Sequence, residues 1–330
     1  MLFCFFWYIY IKRNKMIKKL LREGLIQNKL NEDVKKFNEL YVYLKEEMEF
    51  DPLAHGEPAS EEEVDENICF LSFSKGNAKL DWPYFSLPAA YTCPDATSCK
   101  SFPAKHGKKF TNGKSLKKAS EKTEFQCFAA REQAQYPNLN KKVFSNLALL
   151  MNALKTGGSE AMAKLIIDSL KHAELHHINI FRIHEGGDFF SDKYFKAWIL
   201  VANALPSINF YTHTTSLNIW LNNRGSVPSN MNLTASMDKN NEEMILKNKL
   251  RFAKVVYSIE EAKQLRLPID YDDSLACCSD VNFALLLHGG QPAGSEASKA
   301  VMANRKAGAY EKIKNLQKAN KGKRQDLLRK

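Results

Sequence analysis

The sequence predicts an α/β protein: a parallel-sheet, barrel-like body of partial or full TIM type, with a helical N-terminal extension and a basic C-terminal helix. Three observations carry this. Short apolar stretches ("INIFRIH", "INFYTHTT", "MNLTAS", "AKVVYS") recur between residues 178 and 258. Their starts lie roughly 25 residues apart, the length of one strand–helix unit in a parallel sheet. Helix-like segments such as "DKYFKAWILVANAL" and "IEEAKQL" follow them, and parallel strands need such crossovers. Each stretch also ends in polar or ionisable residues: His184, Glu185 and Asp188, then His213 and Thr214, then Ser236 and Asp238, then Ser258. Apolar strands with ionisable carboxyl ends describe the active face of an α/β barrel, and a doubly wound open sheet shares the pattern.

The elements follow in order. Residues 1–66 form the extension. The opening "MLFCFFWYIYIKRNKMIKK" has an apolar run ending at Ile11, about half the length that crosses a bilayer. It lacks a charged n-region and a cleavage site, so Met16 is the expected start, with an interfacial anchor as the other reading. Residues 16–50 carry helical spacing, and the acidic "DPLAHGEPASEEEVDEN" breaks it. Residues 67–294 form the body. "ICFLSFSKGNAKL" reads as a strand and a Gly-Asn turn, whose Asn77 and Lys79 are candidates for phosphate contact. The Lys-rich interval after Cys99, with Lys108 and Lys109, lacks apolar periodicity and reads as a solvated loop. Residues 128–170 return to helical spacing, with one segment ending at the glycine pair of "KTGG". Residues 295–330 form the basic helical tail.

With 330 residues and 44% hydrophobic content, the chain can bury a substantial core. A formal net charge of +11 points to phosphate-bearing partners, nucleic acid foremost, DNA or RNA. Membrane attachment is not expected apart from the short N-terminal apolar segment. Seven unevenly placed cysteines exclude a secreted disulfide scaffold and suggest a reducing, cytoplasmic setting with free or metal-bound thiols.

The chemistry-bearing residues fall into two groups. Cys93 and Cys99 sit six positions apart on "SLPAAYTCPDATSC", and Cys127 follows the Lys-rich interval. They converge if that interval loops out, because closure cost grows slowly with length. Three thiolates suit an iron–sulfur cluster with one open iron. A fourth ligand from Cys277, Cys278 or His288 closes the site as zinc or an electron-carrying cluster. The bland alternative is that two of the three are core cysteines. In "RIHEGGDFFS", Asp188 is the candidate nucleophile or general base, with His184 or Glu185 as proton partner. Gly186 and Gly187 would let a ligand approach the backbone closely, and Arg182 adds positive charge. His213 is expected to face the same cavity, with Asp238 as a second acid. Ser191 or Asp192 fills the N-cap role of the following helix better than Asp188 does.

Several fragments together resemble the phage gene-product-88 family, found in phages and related mobile elements: "LSFSKGNAKL", "FSLPAAYTCPDATSC", "CFAAREQAQYPN" and "RIHEGGDFFSDKYFKAWILVANALPSINFYTHTTS". The resemblance covers roughly residues 71–290 and constrains fold and site more than reaction. A phage origin implies the host cytoplasm. The chain departs from the pattern where the Lys-rich interval separates Cys99 from Cys127, where Phe128 replaces a usual Tyr, and where a later cysteine cluster is reduced to Cys277–Cys278 ahead of His288. The expected function is a metalloprotein, iron–sulfur or zinc, acting on nucleic acid or a nucleotide. Base exchange is one candidate, by fold-level analogy with transglycosylase barrels, and radical base modification is another. The alternative is a non-catalytic nucleic-acid-binding or host-takeover protein with a structural metal.

Overall fold

A computed structural model of the chain describes residues 70–76, 80, 82–102, 117–118, 123–311 and 315. All fall within one unit, Phe70–Lys330. The helical extension, Asn77, Lys79, Lys108, Lys109 and nearly all of the tail after residue 311 lie outside the described residues.

The strands are β1 (Tyr84–Ser86), β2 (Ser101–Phe102), β3 (Lys117–Lys118), β4 (Ile180–Gly186), β5 (Asn209–Thr214), β6 (Met231–Met237), β7 (Phe252–Val256) and β8 (Phe283–Leu286). The helices are α1 (Phe128–Gln135), α2 (Pro137–His172), α3 (Asp192–Ala204), α4 (Leu217–Asn222), α5 (Glu242–Lys247), α6 (Ile259–Gln264), α7 (Ser274–Cys278) and α8 (Glu296–Lys306). Six strands make one sheet in the order β1-β4-β5-β6-β7-β8, every neighbouring pair parallel. β2 and β3 form a separate antiparallel ribbon.

The order corrects part of the expected architecture. β1 and β8 are both edges, so the sheet is open and no barrel is closed. Among the described residues the winding also never reverses, so they present no switch point of the kind at which a doubly wound sheet binds its ligand. The expected strand at residues 68–74 contributes only a bridge between Ser74 and Tyr84 among its described residues. The helix expected to end at "KTGG" instead kinks there: Gly158 takes φ +65° and α2 resumes to His172.

The core lies between the sheet and the α2–α3 layer. Trp198 of α3 is fully buried and packs on Phe181 of β4 and Phe210 of β5, with ring centroids 6.1 and 5.9 Å away. Helix α3 starts where Ser191 Oγ accepts the Tyr194 N–H at 3.2 Å, the cap expected from the sequence. On the other face Arg182 is buried and ion-paired to Asp273 at 2.7 Å, and Tyr211 donates its hydroxyl to the same carboxylate at 2.9 Å. Arg182 is therefore committed to an internal pair and does not present its charge to a phosphate.

Candidate functional site

The cysteine segment leaves the carboxyl end of β1 and is held from three sides. Gln133 of α1 clamps its start: Oε1 accepts the Ala89 N–H and Nε2 donates to the Leu87 carbonyl, each at 2.9 Å. Asp238, just past β6, holds its middle. Asp238 Oδ2 accepts from Thr97 Oγ1, from Ser98 Oγ at 3.1 Å and from the Ser98 N–H at 3.4 Å. The third hold is the returning chain. Glu124 and Phe125 donate their N–H groups to the Ser98 carbonyl, Cys127 donates its N–H to Ser101 Oγ, and Ser101 Oγ donates to the Cys99 carbonyl. The Lys-rich interval is thus an excursion closed at its neck by β2 pairing with β3, which returns Cys127 to Cys99 as the loop-closure argument requires.

The three thiols come together. The Cys99 thiol hydrogen-bonds to Cys127, and this bond is the largest influence holding the Cys127 pKa below its ordinary value; burial opposes it, and the N–H groups of Ala129 and Ala130 assist. Cys127 is the N-cap residue of α1; its sulfur makes no full capping bond, yet it feels those amides at the positive end of the helix. The same bond, with burial and the charges of Cys127, Cys93 and Asp188, drives the Cys99 pKa well up. Burial pushes the Cys93 thiol up too, seconded by the charges of Asp188 and Cys127, while Lys100 opposes the rise. The arrangement is two neighbouring thiols, Cys99 and Cys127, that act on one another, with Cys93 in electrostatic reach. It is not a ready coordination sphere: among the described residues no group of three or more His, Cys, Asp or Glu is disposed to hold a metal ion.

The expected acid–base residues divide. Asp188 is buried and accepts four hydrogen bonds. Oδ1 takes the Phe189 N–H at 2.7 Å and Thr214 Oγ1 at 2.6 Å; Oδ2 takes the Thr215 N–H at 2.7 Å and Thr215 Oγ1 at 2.8 Å. Burial raises its pKa and these donors oppose the rise. Asp188 thus ties the end of β4 to the end of β5 while its charge reaches Cys93 and Cys99. His184 is buried, with Nε2 3.0 Å from Tyr194 Oη. Burial, then Arg182, lowers its pKa to about 3, so it is neutral and enclosed. His213 does not meet Asp188. It neighbours Thr214 on β5, and adjacent strand residues point to opposite faces; Thr214 binds Asp188, whereas the His213 ring stands edge-on to Phe283 at 5.8 Å.

Glu185 does reach the thiols: it accepts from Ser86 Oγ at 3.0 Å, and its charge bears on Cys127. Asp238 acts as an anchor; burial works to raise its pKa, but donors from Thr97, Asn240 and Ser98 together lower it.

Of the three expected fourth ligands, one lies near the thiols. The His288 ring is 5.8 Å from that of Phe128, the residue after Cys127. Cys277 and Cys278 are joined to each other by a disulfide on α7. The Cys277 carbonyl accepts from Asn209 at 2.8 Å and Asn232 at 3.4 Å, residues at the amino ends of β5 and β6. They therefore sit at the opposite end of the sheet, and as a disulfide they offer no thiolate. A hollow of about 440 Å³ lies at that end, where the Asn209, Asn230 and Asn232 amides are already bonded to main-chain carbonyls.

The glycine pair of "EGGD" serves the protein and not a ligand. A side-chain carbon on Gly186 would meet Ala129 Cβ at 2.8 Å, and one on Gly187 would meet Leu87 Cβ and Thr92 Oγ1 at 2.7 Å. The sequence gives Gln133 little signal, since it is one of two glutamines on the alanine-rich "FAAREQAQ".

A family model described as Gene product 88 matches residues 60–310. No curated protein and no solved structure matches the chain.

Proposed function

The chain belongs to the Gene product 88 family, and on that premise we propose that it is a thiolate-centred metalloprotein that acts on nucleic acid or a nucleotide. The observation that carries the proposal is the return of Cys127 to Cys99 across the Lys-rich interval, with Cys93 of the same loop in electrostatic reach, at the carboxyl end of the sheet. A lone buried cysteine is content as a small apolar side chain. Three within electrostatic reach of one another and of a carboxylate hold their protons tightly, because each ionised group raises the cost of ionising the next. A soft cation removes that repulsion, and thiolates are the donors that soft centres select. The donor set fits zinc or an iron–sulfur cluster in kind; Cys93, Cys99 and Cys127 would hold it, with His288 at the same end. Zinc supplies a Lewis acid when bound and a cluster supplies electron transfer. Around it Asp238 and Gln133 fix the sulfur-bearing loop, and Glu185 is the carboxylate beside Cys127. The net charge of +11 and the lysines of the excursion necked at Ser101–Phe102 favour a phosphate-bearing substrate.

A second reading has its own observation. With four donors on Asp188, both oxygens are occupied in the manner of a positioning carboxylate and not of a nucleophile. That favours a nucleic-acid-binding protein whose metal is structural.

Elemental analysis and visible spectra of anaerobically purified protein test the first reading. The expected result is about one zinc ion or one cluster per chain, lost in Cys93→Ala. Wild-type protein without metal overturns it. Glu185→Gln then separates the two readings: loss of function with oligonucleotide affinity intact favours the enzyme, and a parallel fall in both favours the binding protein.

A further inference from the structure

We infer that Arg131 and the Gly289–Gly290 turn form an anchoring site for a phosphate group beside the thiols. The inference rests on the reading above only for the phosphate belonging to a nucleotide or nucleic acid.

Arg131 lies four residues after Cys127, and its N–H donates to the Cys127 carbonyl at 3.2 Å, so one helical turn carries both. Its guanidinium lies across Gly290. The first carbon of any side chain at that position would overlap Arg131 Nη1 and Cζ, so only glycine leaves the guanidinium where it is. The turn follows β8 and His288, which packs against Phe128. Gly289 takes φ +82°, and no atom lies within 4 Å of where its side chain would begin, so the ground beside the guanidinium is open.

The arginines inside the sheet region are committed. Arg182 pairs with Asp273, and Arg251 donates to the Ala276 carbonyl and to Thr234. The Arg131 guanidinium, among the described residues, has no carboxylate partner and no hydrogen-bond acceptor. A planar cation with its N–H fork unassigned, held against a turn without side chains, suits two oxygens of one phosphate. Glycine there also allows an anion to approach the backbone.

The test is fluorescence anisotropy of a labelled single-stranded oligonucleotide with the full chain, across a salt series, with inorganic pyrophosphate as competitor and metal content measured on each preparation. The expected result is that Arg131→Gln weakens binding about tenfold or more and lowers the slope against log salt by about one. Gly290→Ala should do nearly the same with an unchanged melting midpoint, because it displaces only the end of a flexible side chain. Pyrophosphate should compete in wild type and fail in Arg131→Gln. Arg131→Lys should restore only part of the loss.

Binding by Arg131→Gln and Gly290→Ala equal to wild type overturns the site while leaving the thiolate reading intact. Metal-free wild type whose oligonucleotide binding still falls in Arg131→Gln overturns the thiolate reading and supports the site. A wild-type chain that binds neither probe overturns the site outright.

Discussion

At Gly187 the backbone takes φ +87°, and a methyl group there would press on Leu87 Cβ and Thr92 Oγ1 at 2.7 Å. At Gly289 the backbone is nearly the same, φ +82°, but the space is empty. The pair separates strain from collision. Alanine at 289 carries only the left-handed penalty, about 1–2 kcal/mol. Alanine at 187 adds displacement of the loop that holds Cys93, for a total of roughly 2–5 kcal/mol. Denaturant unfolding of the two variants measures the difference, and equal losses would show that the Leu87–Thr92 contact has no weight. Asp188→Asn belongs at the same scale. The amide nitrogen replaces an oxygen that accepts two of the four bonds, facing either the Phe189 N–H and Thr214 hydroxyl or the Thr215 N–H and hydroxyl; the hydroxyl can turn to accept, and the N–H is left as a clash of donors. The expected destabilisation is about 1–3 kcal/mol, read by the same unfolding measurement. A stable variant with lost function would instead make Asp188 a reacting group.

Helix α1 places more of the site than its eight residues suggest. It begins at Cys127, lays Ala129 against Gly186 and sends Gln133 to the Leu87–Ala89 backbone. Gln133→Leu would leave a buried N–H and carbonyl unmatched, at about 1–3 kcal/mol, and should speed alkylation of Cys93 in the native protein. Trp198→Ala on α3 is the contrast: it removes a fully buried indole, at about 3–5 kcal/mol, yet should leave the native alkylation rate alone because α3 does not hold the cysteine loop. Mass spectrometry of the labelled thiols checks both, and equal rates in all three proteins would detach Gln133 from the site.

How much of this could be read beforehand follows the same division. The units β4–α3–β5 and β6–β7 were legible because apolar runs and capped amphipathic helices repeat locally. The meeting of Cys93, Cys99 and Cys127 was legible because loop closure forgives a long insertion. Strand β1 was not, being three residues between Pro83 and Pro88, and β8 is a four-residue run with no helix of clear period before it. The face of His184 was illegible for a different reason. Three residues of β1, Tyr84 to Ser86, run beside five of β4, Arg182 to Gly186, and an irregularity of that kind re-aims side chains in ways only pairing reveals.

Across the whole molecule, two buried groups on opposite faces of the sheet should shape the response to pH, and they act in opposite directions. His184 has its pKa lowered from 6.5 to about 3 by burial and then Arg182, so the unfolded chain takes up the proton first; stability present above pH 6.5 is lost as pH falls. Asp270 has its pKa raised from 3.8 to about 6, by burial and then the charge of Asp273, with Asp272 adding to it and amide donors from Ala276 and Asp272 opposing. Here the folded chain takes up the proton first, so stability is gained as pH falls through 6 and the gain is complete below 3.8. Between about pH 6 and 4 each group contributes a slope of about 1.4 kcal/mol per pH unit with opposite sign, and the two nearly cancel. These two contributions should therefore leave little net slope between them in that window. Asp270→Asn removes one of the two slopes and should expose a loss of about 2–3 kcal/mol from pH 6 to 4. Urea unfolding at intervals across the window gives the slope directly, independent of any constant penalty the amide brings at Ala276. Parallel profiles for wild type and Asp270→Asn would mean that Asp270 ionises in the folded protein as it does in water.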